Sequence, residues 1–244
     1  MKPLSKIDLY SYSPIQYNGL LIHKPLLREM GQLGHSHFQM LNSLLTMSED
    51  DLLVLQAEQE KKGEIPVPTT DPYKYMLFAA QNISYFLELK MAFFTYLKRD
   101  VQIRDGNLIV IASSKEETDY VFDSTSFYEL QTIIRQINNL EIVDEPELTG
   151  NPEMVAKFME ARKKLRLAKA KERQKARDNG EGLDIGTVQM AVSAMFGYTP
   201  IEVEDLTIYQ LFALFKMGQQ KENYTLSHHA LCAGAKCKLK YWVY

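Results

Sequence analysis

The stretch opened by Asp71-Pro72 constrains this chain more than any other. An acid able to accept from free helical N–H groups stands before a proline, whose missing N–H costs little at the first helical position. Behind it, Met76, Phe78, Ala79, Ile83, Phe86, Leu87, Met91, Phe94 and Leu97 recur at helical spacing. So wide an apolar face predicts one helix from Tyr73 to about Leu97 at the centre of a core. Gln81, Asn82, Glu88 and Lys90 interrupt the run, and no window approaches the roughly 18 apolar residues needed to span a bilayer.

Local signals place the neighbouring elements. Leu9 to Tyr12 and Leu20 to His23 read as extended, with Asn18-Gly19 as the turn between them. Pro25 suits the start of a helix over Leu26 to Met30, ended by Gly31 or Gly34, and a second helix spans His37 to Leu45. Ser48 with Asp51 resembles a capping box, opening a helix that loses its apolar face before Gly63. Pro66 and Pro68 mark a loop. Val101 to Arg104 and Leu108 to Ile111 flank Asp105-Gly106 as a hairpin, Tyr120 to Phe122 adds a strand, and Asp123 or Ser124 caps a helix over Phe127 to Leu140.

The expected fold is therefore mostly α with a small antiparallel sheet. Residues 1–145 form an α+β lobe, 146–182 a charged linker helix, and 183–244 a helical C-terminal lobe. In the last of these, Asp184 caps a helix through Met195, Gly197 to Glu204 is a turn, and Asp205 caps the next helix. A further helical segment reaches about Ala233, and Lys238 to Tyr244 reads as an edge strand or docked arm.

With 244 residues, 45% of them apolar and 24% charged, the chain can bury a substantial core. Two cysteines make no disulfide framework, and the N-terminus lacks the apolar run of a secretory signal. A reducing cytoplasm is the expected home, and no membrane is implied.

The net charge of −3 hides an asymmetry. Lys157, Arg162, Lys163, Lys164, Arg166, Lys169, Lys171, Arg173, Lys175 and Arg177 are opposed only by Glu160 and Glu172. The segment carries +8, and the remainder of the chain −11. Such a helix can track phosphates or pair with an acidic protein face; otherwise it is a solvated linker. Phe158 is its only aromatic, so base stacking has almost nothing to stack on, which argues against nucleic acid.

His228, His229, Cys232 and Cys237 offer zinc-type donors, with His228 and Cys232 on one helical face. Their spacing fits no familiar finger, and small core cysteines are the expectation. His23, His35 and His37 lack a nucleophile or carboxylate pattern that would make a triad. No phosphate-binding glycine loop, nucleophile elbow or HExxH is present. No catalytic residue, cofactor or metal is expected.

Both ends of the chain resemble a known group. Asp184-Ile185, Asp205-Leu206-Thr207-Ile208-Tyr209-Gln210-Leu211-Phe212, Ala233-Gly234-Ala235, the late Trp242, and Ile22 through Gly34 are similar to small tail-module, tail assembly chaperone-like proteins of phages that infect Gram-positive bacteria. The middle is unmatched. The resemblance implies a non-enzymatic protein that binds tape-measure or tail tube subunits in the host cytoplasm. A structural baseplate or tail component of the virion is the alternative, and a nucleic-acid-binding protein using 157–177 the third reading. Candidate partner-binding residues are Arg162, Lys163, Lys164, Arg166, Lys169 and Arg173 on the basic helix, with Tyr209 and Phe212 in the C-terminal lobe. Phe215 and methionines such as Met190, Met195 and Met217 would extend an adaptable docking surface around Tyr209 and Phe212, but packing in the core of the C-terminal lobe is the expectation for most of these residues. Self-association is a further expected mode.

Overall fold

The structure, a computed structural model, describes residues 4–112, 114, 118–140 and 185–233, with scattered positions between 153 and 172. In chain order it runs α1 (Lys6–Tyr10), β1 (Ile15–Tyr17), β2 (Leu20–Ile22), α2 (Leu27–Leu33), α3 (His35–Thr46), α4 (Glu49–Lys62), α5 (Pro72–Ala79) and α6 (Ile83–Leu97). It continues with β3 (Val101–Arg104), β4 (Asn107–Val110), β5 (Tyr120–Val121), α7 (Ser124–Ile137), α8 (Ile185–Phe196), α9 (Pro200–Glu204) and α10 (Ile208–Cys232). The fold is mostly α with two small antiparallel sheets.

Both hairpins follow from their turn residues. Asn18-Gly19 and Asp105-Gly106 hold positive φ at both positions (45° and 80°, 51° and 73°), the mirror-image turn that matches strand twist. They set the registers Tyr17↔Leu20 and Arg104↔Asn107. The second sheet has order β3-β4-β5.

Four local expectations change. Leu9 and Tyr10 end a helix, because Ser5 and Asp8 close a capping box on α1; the strand paired with Leu20–Ile22 is Ile15–Tyr17. The expected helix from Tyr73 to Leu97 is two helices. Its chain turns at Ala80, and Asn82 accepts from the N–H groups of Ser84 and Tyr85 at 2.9 and 3.3 Å to start α6. Gly197 to Glu204 contains α9, capped by Thr199 with Glu202. The cap of the last helix is Thr207 with Gln210, not Asp205, which closes α9 instead.

One buried apolar cluster runs through the molecule. Phe38 and Leu45 of α3, Leu89, Phe93 and Tyr96 of α6, Leu108 and Val110 of β4, and Phe127, Leu130, Ile133, Ile134 and Ile137 of α7 join Val188, Val192, Val203, Ile208 and Leu211. The expected N-terminal and C-terminal lobes thus meet in a common core. Polar contacts fix the seam: Leu26 pairs with Thr207, Leu27 N–H donates to Leu206 O at 2.9 Å, and Gln210 Nε2 donates to Tyr10 O at 2.6 Å.

Side chains also finish helix ends that the local sequence leaves open. Arg135 Nη1 donates to Thr46 O at 2.7 Å and Gln131 Nε2 to Met47 O at 3.1 Å, so α7 caps the C-terminus of α3. Lys24, only 6% exposed, donates to Asp8 O and to Ser11 O at the end of α1. Its ammonium meets the negative end of that helix, which offsets part of its desolvation.

Candidate partner-binding surfaces

Tyr209 and Phe212 face the interior seam. Tyr209 packs edge-on against Tyr10, with ring centres 5.7 Å apart and an 87° interplanar angle. Phe212 is half-buried against the core. The Tyr209 contact helps to hold α10 to α1. Met195 is occupied likewise, beside Gly218, whereas Met190 is exposed on α8.

Of the basic candidates, Lys164 is exposed and pairs with Glu160 one helical turn earlier at 2.8 Å. Lys157 and Lys171 are exposed helical positions too. Arg162, Lys163, Arg166, Lys169 and Arg173 lie outside the described residues.

A surface the sequence reading assigned to the core lies on α6. Ile83, Leu87, Met91 and Phe94 are exposed, at 69%, 55%, 39% and 57%. The break at Ala80–Asn82 rotates α6 so that Leu89, Phe93 and Tyr96 take the core-facing side. Spacings of four, four and three keep the exposed four in one stripe, about 16 Å long at 1.5 Å per residue. The signal was available: a helix apolar on nearly every side must be enclosed or bind something.

Beside the stripe, a groove of about 680 Å³ separates the α5–α6 corner from the β3–β4 hairpin. Leu77, Phe78, Phe86 and Ile103 give it apolar walls, with Lys74, Gln81 and Gln102 also lining it. Lys90 Nζ sits 5.9 Å from the Phe86 ring centre and bonds Asp100 at 2.9 Å, so the helix carries a cation beside its apolar stripe.

The histidines take separate places. His37 Nε2 meets Glu88 Oε2 at 2.8 Å between α3 and α6, and His35 bonds Gln39 at 2.7 Å. His23 is half-buried; burial, then the nearby Lys98 ammonium, lowers its pKa. Cys232 is exposed rather than a core residue, and its Sγ lies 3.9 Å from His228 Nδ1. Cys237 lies outside the described residues. Among the described residues no three metal-binding side chains converge, and no helix is long and apolar enough to cross a membrane.

No curated protein and no solved structure matches the chain. A family model, that of the YomV second domain, matches residues 173–243, a stretch that includes α8, α9 and α10. That family is one of Bacillus phage-derived proteins, and the C-terminal part of this chain is similar to it.

Proposed function

We propose that this protein is a non-enzymatic, chaperone-like assembly factor of a phage tail, which binds a helical segment of a tape-measure or tail tube subunit in the host cytoplasm. The observation that carries the reading is the exposed apolar stripe of Ile83, Leu87, Met91 and Phe94. Exposed apolar side chains contiguous along three helical turns gain about 25 cal/mol for each Å² removed from water. A partner helix with its own apolar stripe is the shape that covers them. The charged 157–177 segment favours solubility of such a complex and selects acidic partner faces. The similarity of the C-terminal part to that phage-derived family supports the setting.

The test is co-expression with the tape-measure and tube subunits of the parent phage. Stable capture of either, lost in Leu87→Glu and Phe94→Glu chains, is the expected outcome. Absence of capture with both subunits would sink the reading. Mass spectrometry of purified virions adds a second arm: a chaperone leaves little chain in the particle, whereas a structural tail component is abundant there. Retention on duplex DNA with a steep salt slope would instead favour a nucleic-acid role for the basic helix.

A further inference from the structure

We propose that His228 and Cys232 are half of a zinc site, completed by the same two residues of a second copy of this chain. The two side chains stand four residues apart on α10, so the helix holds both donors on one face. His228 Nδ1 and Cys232 Sγ are 3.9 Å apart. A tetrahedral zinc with bonds of about 2.1 Å to nitrogen and about 2.3 Å to sulfur sets its donors about 3.6 Å apart. The pair is therefore within a few tenths of an ångström of the bite that the ion requires, before any side chain moves.

Two further features of the same helix end fit a cation. Both donors are exposed, so an ion and a second chain can reach them. The helix ends at Cys232, where the negative end of its dipole favours positive charge. The Tyr224 ring stacks beside His228, with centres 6.3 Å apart and planes at 26°. Zinc bonds to the neutral imidazole and the thiolate, and the thiol proton passes to solvent.

Among the described residues no third metal-binding side chain joins the pair, and a closed zinc site needs four ligands. A two-fold axis through the ion supplies the other two from an identical helix end, giving Cys2His2 with one ion per two chains. This site lies on α10, away from the α6 stripe, and stands or falls independently of the proposed tail function.

The experiment uses the full chain under reducing conditions, so that a disulfide cannot mimic the result. Zinc chloride is titrated while mass is followed by sedimentation equilibrium, and cobalt(II) replaces zinc for absorption spectra. Expected are conversion to a dimer at one zinc per two chains and a thiolate-to-cobalt absorption band. His228→Ala and Cys232→Ser should each weaken binding at least tenfold while circular dichroism stays unchanged, and His229→Ala should bind as the parent does. Binding of one zinc per chain without a change in mass, or loss of binding in Cys237→Ser, overturns the shared site. So does a cobalt spectrum without the thiolate band.

Discussion

The hydroxyl of Tyr73 donates to the backbone carbonyl of Phe122 at 2.6 Å and accepts the N–H of Leu108 at 3.2 Å. One side chain from α5 thereby ties β4 to the residue that follows β5, inside a buried region where water cannot substitute. Tyr73→Phe keeps the ring contact with Phe127 and strands both backbone groups. The expected cost is about 1–3 kcal/mol. Urea unfolding checks it through a lower midpoint at unchanged slope.

Gly218 and Met195 share a position where two helices touch. A Cβ on Gly218 would lie 2.3 Å from Met195 Sδ and 3.4 Å from the Phe196 ring. Gly218→Leu is expected to destabilise by about 1–3 kcal/mol through overpacking between α8 and α10. Adding Met195→Ala should recover part of that loss, and the double-mutant cycle measures the coupling. Additive losses in the cycle would show that the two side chains do not compete for the same space.

His23 gives the fold a direction of pH dependence. Burial, and secondarily the Lys98 charge, hold its folded-state pKa below the ordinary 6.5. The unfolded chain therefore takes up the proton first as pH falls. The contribution is absent above pH 6.5, grows on acidification through 6.5 toward the lowered value, and is complete below it. Stability is expected to fall over that window, and His23→Gln should flatten the decline. Denaturant midpoints at pH 7.5 and 5 read the difference.

The outward side of α6 separates binding from stability. Leu87→Glu places a charge where the side chain already meets water, so stability should move by no more than about 0.5 kcal/mol. Partner capture should be abolished. If capture survives Leu87→Glu and Phe94→Glu together, the stripe is not the binding face.

Arg28 and Asp205 bridge the seam at 2.8 Å with both side chains about half exposed, 55% and 50%. Solvent screening keeps such a pair small. Arg28→Ala should cost less than about 1 kcal/mol, whereas Thr207→Ala, which removes a buried helix cap at the same seam, should cost about 1 kcal/mol or more. Thermal unfolding of the two variants ranks them.

Legibility followed the range of the forces involved. The capping box of Ser48 and Asp51, Asp71 before Pro72, and Gly63 ending α4 with positive φ all act over a few residues, and each stood in the sequence. Asn82 was also a possible cap, but the helical spacing of apolar residues resumed on its far side, and the long pattern hid the short signal. Asp205 and Thr207 both could have opened α10. The pairing of Leu26 with Thr207 across the seam selects the second, and that pairing joins residues remote in sequence.

The candidate surfaces divide in the same way. Composition and spacing alone singled out the charged 157–177 segment, the aromatic pair Tyr209 and Phe212, and the His228–Cys232 spacing. Which of them meets water was decided by packing. Tyr10 covers Tyr209, while the turn at Ala80–Asn82 carries Ile83, Leu87 and Phe94 out of the core. Helix caps and tight turns are set by neighbours along the chain, so the sequence by itself determined them. The inward side of a helix that is apolar almost all round depends on which elements close over it, and the tertiary structure alone decided that, because the hydrophobic effect has magnitude but no direction.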